Sequence, residues 1–202
     1  MAVAADAPEQ DPEWLGALRR QDKAAFTRLV RTYQTSMVSL ARSLVGRDAA
    51  GDVVQDSWIS AYRALPAFEG RSTVRTWLLR ITGNRAISHL RAGGRLINES
   101  DLLDPDVAAR FTDEGRWREP PVPWTEETPE GLLASEELRR ALEAGLESLP
   151  PMQRTVLRLR EVEDLSSEEI CKILEISASN LYVLLHRART RLWSIIDAYQ
   201  RS

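Results

Sequence analysis

The chain has a single cysteine, Cys171, and only two histidines among its 202 residues. An internal disulfide framework is therefore excluded, and little is left to build a His/Cys metal site. No run approaches the roughly 20 apolar residues that a bilayer-spanning helix needs. Residues 1–12 are rich in Ala and Asp, without a basic start or an apolar stretch, so they do not have the form of a signal peptide. A reducing, cytoplasmic setting is the simplest expectation. Lysine is nearly absent as well, at Lys23 and Lys172 only, which leaves arginine to carry the positive charge. There is no phosphate-binding glycine loop, no nucleophile–base pair and no metal spacing, so neither an enzyme nor a bound cofactor is expected.

What is present is a folded, soluble composition, with 43% hydrophobic and 28% charged residues. The formal net charge of -3 conceals a segregated pattern. Arg71 to Asn98 holds six arginines and no acid, Glu99 to Glu137 holds twelve acids against three arginines, and Ile176 to Ile196 again holds three arginines and no acid. Two basic blocks flanking an acidic one fit a nucleic-acid partner that the total charge hides, although a basic block is also an ordinary solvated face.

Apolar residues recur at helical rather than alternating steps, and proline is absent from Glu13 to Leu65. Trp14, Leu15 and Leu18, then Phe26, Leu29, Val30 and Tyr33, then Val38, Leu40, Leu44 and Val45 mark successive helical faces. A separate helix is expected from about Asp48 to Leu65, stopped by Pro66, with Val54, Trp58, Ala61 and Leu65 turned inward. Another is expected over about Val74 to Leu90, stopped by Gly93-Gly94. From Arg95 to about Leu132 the periodicity dissolves among Pro105, Pro120, Pro121, Pro123 and Pro129. That stretch is expected to be an acidic, flexible linker, in which Trp117 and Trp124 contact either the flanking domains or a partner. Helical spacing resumes at Leu133, and Pro150-Pro151 separates a helix ending near Leu149 from one over Met152 to Glu163. The expected fold is all-α: an N-terminal tail 1–12, a helical domain 13–95, a linker 96–132 and a helix-turn-helix domain 133–202.

Within the last domain, Leu165 to Arg191 has the form of a helix-turn-helix. Ser166 and Glu169 make a capping box for a short helix that carries Ile170, Cys171 and Leu174 inward. Glu175-Ile176-Ser177 is the turn, and Ser177 caps the second helix. Leu181, Leu185, Ala188 and Leu192 form a narrow inward seam, leaving Ser179, Asn180, Tyr182, Val183, His186, Arg187 and Arg191 outward. The N-terminal half of such a helix meets base edges in the major groove, and arginines further along meet phosphates. An ordinary basic hairpin is the plain alternative. Cys171 is expected in the core rather than in redox chemistry, and His186 has no partner at metal spacing.

The segment Asp52 to Arg91 reads DVVQDSWISAYRALPAFEGRSTVRTWLLRITGNRAISHLR. With its acid-x-x-Gln-acid helix, its phenylalanine-containing loop and its Arg-Thr-Trp-Leu, Arg-Ile and Asn, it resembles the second conserved region of extracytoplasmic-function (group IV) sigma factors of RNA polymerase. The segment Leu149 to Leu192, LPPMQRTVLRLREVEDLSSEEICKILEISASNLYVLLHRARTRL, similarly resembles their fourth conserved region. The matches cover the chain outside its first dozen residues and the linker.

The resemblance implies an alternative sigma factor that binds core RNA polymerase at its clamp and flap, directs promoter-specific initiation and is held in check by an anti-sigma factor. Asp52, Gln55 and Asp56, at i, i+3 and i+4, share a helix face, which the resemblance assigns to the polymerase clamp. For the downstream promoter element it assigns Phe68, Arg71, Arg75, Arg80, Asn84, Arg85 and Arg91, with Asn84 touching a base edge and the arginines touching phosphates. Trp77 invites a stacking role, but its helical spacing to Val74 and Ile81 places it in the core. Val74 stands where many relatives carry phenylalanine, and with few exposed aromatics weak promoter melting is expected. The upstream element falls to Ser179, Asn180, Tyr182, Val183, His186, Arg187 and Arg191. Tyr182-Val183-Leu184 departs from the polar or basic residues common there, leaving contact with thymine methyls and an apolar patch for a regulatory partner. A plain DNA-binding regulator accounts for the C-terminal motif but not for Asp52 to Arg91.

Overall fold

A computed structural model describes residues 11–93 and 136–200 of the chain. Most of the expected tail, and the expected linker with Trp117 and Trp124, lie outside the described residues. Among those described, every regular element is helical, and no helix is long and apolar enough to cross a membrane. The chain divides into two compact units, 1–95 with 172–174, and 96–171 with 175–202.

In the N-terminal unit, α1 spans Pro12–Arg19, started by Asp11, whose carboxylate accepts the Glu13 N–H at 2.9 Å. Gln21 turns the chain with φ 58°, and Asp22 caps α2 (Lys23–Ala64) by accepting the Ala25 N–H at 2.8 Å. The break expected ahead of Asp48 falls at Gly46, with φ 84° and ψ -179°. That backbone region is open essentially only to glycine, so α2 runs as two helical segments, 23–45 and 47–64. A 3₁₀ turn, Leu65–Ala67, follows with Pro66 inside it. Thr73 then caps α3 (Val74–Ala92) by accepting the Thr76 N–H at 3.1 Å, and Gly93 ends it.

The packing of α3 on α2 is the most extensive of the fold. Leu29, Met37, Leu40, Leu44, Leu65, Leu78 and Leu79 are fully buried in this unit. Truncating any of them to Ala costs about 2–5 kcal/mol in typical cores. The inward stripe of the second α2 segment differs in one place from the expected one. Val54, Ala61 and Leu65 are buried, but the central slot goes to Ser57, fully buried with its hydroxyl donating to the Val53 carbonyl at 2.6 Å. Trp58 is half-buried at the flank, edge-on to Phe26 with centroids 5.8 Å apart, its indole N–H donating to Gln34 Oε1. An indole needs a partner for its N–H, and Gln34 supplies it at the rim.

In the C-terminal unit, α4 (Glu136–Ser148) and α5 (Pro151–Glu161) both pack on α7 (Ala178–Gln200). Gly145 lets α4 approach α7 closely, because a Cβ there would run into Ile195. Proline opens α5 at its first position, where a missing N–H costs nothing. The short helix α6 (Ser167–Leu174) carries the complete capping box. Glu169 Oε2 accepts the Ser166 N–H at 3.0 Å, and Ser166 Oγ accepts the Glu169 N–H at 3.3 Å. Ile170 is buried, whereas Cys171 is only half-buried, so it is not the core residue expected. Partial burial nonetheless pushes its thiol pKa up. Glu175 makes the turn in the left-handed conformation at φ 55°, and Ser177 Oγ accepts the Asn180 N–H at 3.2 Å to start α7.

Candidate functional site

Asp52, Gln55 and Asp56 are all exposed on the second segment of α2, opposite the buried Val53, Ser57 and Ala61. One turn further on, Ile59 and Tyr62 are 44% and 40% exposed. The acidic face thus continues into apolar side chains held out of the core. A face of this kind combines steering charge with area that a partner can desolvate.

The basic run after Phe68 is split by the fold into three places. Arg71 lies in the loop before α3, 85% exposed, with Nε 2.9 Å from Glu69 Oε2, itself 64% exposed. So exposed an ion pair contributes little, and the guanidinium stays available to a stronger anion. On α3, positions 77, 80, 84 and 91 follow at steps of three, four and seven residues and share one face. There Arg80 and Arg91 are exposed, while Asn84 and Trp77 are half-exposed. Trp77 is therefore not the core residue that its spacing implied. Arg75 and Arg85 lie away from this stripe; Arg85 is exposed, and its Nη2 donates to Ser60 Oγ of α2 at 2.7 Å.

Phe68 is 8% exposed and packs its ring on Trp77, with centroids 4.9 Å apart. Its carbonyl accepts a 2.9 Å bond from Arg19 Nε. The phenylalanine forms the floor of the loop and does not present its ring at the surface. Nothing in the sequence motif indicated Arg19, because its partner lies 49 residues away.

On α7 the outward strip is narrower than expected. Ser179, Tyr182, His186 and Arg187 are half-exposed and Arg191 is exposed. Asn180 and Val183, expected outward, are 7% and 2% exposed, and Leu184 is fully buried. The physical reason is the width of the apolar seam. Leu184 joins Leu181, Leu185 and Ala188 in the interior, and Asn180 stands one turn above Leu184 on the same side. The Asn180 amide oxygen is buried with no hydrogen-bond partner among the described residues. Val183 and Leu184 accordingly offer no exposed apolar patch. Arg189, outside the expected set, pairs with Glu161 Oε1 of α5.

Comparison with known proteins agrees with both motifs. Residues 29–96 match the sigma-70 region 2 family, and residues 139–192 match sigma-70 region 4. The chain is 38% identical over 172 residues to the ECF RNA polymerase sigma-E factor of Escherichia coli, covering 85% of this chain and 86% of that protein. The Salmonella typhimurium sigma-E factor is 39% identical over the same shares. A probable RNA polymerase sigma factor of Haemophilus influenzae is 36% identical over 166 residues, 81% of this chain and 86% of that one. Among solved structures, CnrH in complex with the cytosolic domain of CnrY aligns with a TM-score of 0.58 at 23% identity, over 93% of this chain and 97% of that one. The sigma factor RpoE with the anti-sigma factor NepR from Bartonella quintana gives 0.57 at 22%, over 85% and 96%. The identities to the curated relatives and the extent of their coverage establish that the chain belongs to the extracytoplasmic-function family of RNA polymerase sigma factors.

Proposed function

We propose that this sigma factor docks on the clamp of core RNA polymerase through Asp52, Gln55, Asp56 and Ile59, and opens promoters through the loop 68–73 and the exposed face of α3. The observation that carries this reading is the separation of two exposed surfaces on one packed helix pair: an acidic-apolar face on α2 and a basic-amide stripe on α3. The chain performs no chemistry of its own, since a sigma factor is a specificity subunit of transcription initiation and not an enzyme. Opening a promoter means holding unstacked bases of one strand, which takes a polar group for the base edge and cations for the phosphates. Asn84 supplies the first, and Arg71, Arg80 and Arg91 supply the second. Trp77 adds a half-exposed ring on the same stripe, where a base can stack.

In this reading Phe68 acts by shaping the loop, and Arg75 and Arg85 act from the flanks of α3. The C-terminal unit holds the upstream element as duplex, with Ser179, Tyr182 and His186 toward base edges and Arg187 and Arg191 toward phosphates. Asn180 and Val183 shape that helix from inside. The protein works in the bacterial cytoplasm, where polymerase is. An anti-sigma factor controls it, as the solved relatives bound to CnrY and NepR support.

Co-migration of the purified chain with core RNA polymerase on a sizing column tests the docking. A stable complex is expected, and it weakens when Asp52 and Asp56 are changed to Ala. A folded chain that never associates with core, or a double variant that binds as well as the parent, refutes the assigned face.

A further inference from the structure

Arg19 closes α1, a helix that lies ahead of the matched region 2 at 29–96. Although the residue is exposed, its side chain is not free to wander, because Nε donates 2.9 Å to the Phe68 carbonyl oxygen. Its Nη2 stands 4.0 Å from the point where a Cβ on Gly70 would lie, and Gly70 has φ 76°. A second bond runs beside it, from Gln21 Nε2 to the Tyr62 carbonyl at 2.8 Å. The base from which both side chains reach is anchored by Trp14 and Leu18, 6% and 1% exposed. α1 and the turn after it therefore grip the chain on both sides of the exit from α2. Phe68 is fixed twice over: its carbonyl is tied to Arg19, and its ring lies on Trp77.

We infer that Arg19 is a positioning residue for the promoter-opening loop, holding the backbone at Phe68 so that Gly70 to Thr73 meets the opened strand in one conformation. The inference rests on the assignment of that loop to the opened strand. Its physical basis is preorganisation: a loop already in its bound shape loses less freedom on binding DNA. Arg19 touches neither polymerase nor DNA in this account. Its loss leaves both the docking face and the phosphate-binding arginines in place, so it alters opening alone.

The test uses holoenzyme assembled from core polymerase and the full-length chain, comparing Arg19→Gln and Asn84→Ala with the parent. Permanganate reactivity of thymines in the downstream element reports opening, and the log-log salt slope of promoter binding reports phosphate contacts. For Arg19→Gln, thymine reactivity is expected to fall about tenfold, with core affinity and salt slope unchanged. Because Arg19 is exposed, its thermal melting should match the parent. Unchanged reactivity in Arg19→Gln, while Asn84→Ala loses it, overturns the positioning role and leaves the loop assignment standing. A salt slope shallower by about 0.7, the share of one single-strand phosphate, overturns it in favour of direct DNA contact. If Asn84→Ala also opens normally, the loop assignment itself falls and the role of Arg19 with it.

Discussion

The two acid-free arginine blocks look alike in the sequence, yet α3 and α7 turn them into different surfaces. On α3 a stripe of Trp77, Arg80, Asn84 and Arg91 is exposed or half-exposed, and Arg85, Ser88 and His89 are exposed beside it. On α7 the first turns are largely buried, with Asn180, Leu181, Val183, Leu184 and Leu185 all inside, and only a thin strip remains outward. A block of like charge thus fixes how much phosphate contact is available but not how many base edges can be reached. That second quantity depends on the width of the apolar seam beneath. α3 should therefore contribute more to promoter choice than α7, reversing the usual weight given to a helix-turn-helix.

The largest effect should come from outside both surfaces, and it sets the baseline for comparing them. Changing Asp52 and Asp56 together to Ala should lower affinity for core polymerase about a hundredfold, read by a competition titration, while leaving the fold intact. Ile59→Ala should lower it about tenfold, although its removal exposes no core. Equal binding by either variant would move the docking face elsewhere. Next in size is the contrast between the surfaces. Asn84→Ala should cut discrimination at the downstream element by about 1–3 kcal/mol, measured as the spread of open-complex formation across single-base promoter variants. Tyr182→Ala should narrow the same spread at the upstream element by less, and an equal or larger loss there would reverse the comparison.

Arg187→Ala should weaken upstream duplex binding uniformly across sequences and lower the salt slope by about 0.9, as a phosphate contact does. A sequence-dependent loss would make Arg187 a base reader instead. Smaller still, Val183→Ala should reduce the stability of the C-terminal unit by about 1 kcal/mol without changing base preference. An altered preference with unchanged melting would place Val183 at the DNA after all. Glu175, held at φ 55° in the turn, gives the smallest effect. Glu175→Gly should raise stability by about 0.5–1 kcal/mol, and a loss would mean that the glutamate side chain matters more than its backbone strain.

Much of the fold was legible because local chemistry decides it. Pro66, Gly93, the Ser166–Glu169 box and the Ser177 cap are signals whose partners lie within a few residues, and each ends or starts a helix where expected. The acidic face was legible for the same reason, since i, i+3 and i+4 spacing needs no knowledge of the partner helix. Illegible were features settled by tertiary packing. Trp58 turned out to the flank because Gln34, 24 residues earlier, satisfies its N–H at the rim. Phe68 turned inward because Trp77 gives its ring a partner and Arg19 holds its backbone. Asn180 and Val183 turned inward because the seam on α7 proved wider than a count of leucines at heptad-like steps implied. In each case periodicity gave the face of the helix, and contacts distant in sequence decided which edge of that face was covered.

The most direct measurement places 2-aminopurine in the downstream promoter element and follows its fluorescence as core polymerase and this chain are added. Brightening is expected only when both are present, with loss of most of that signal in Asn84→Ala at concentrations that saturate core binding. Brightening with core alone, or full brightening with Asn84→Ala, would contradict the claim that the exposed stripe of α3 holds the opened strand.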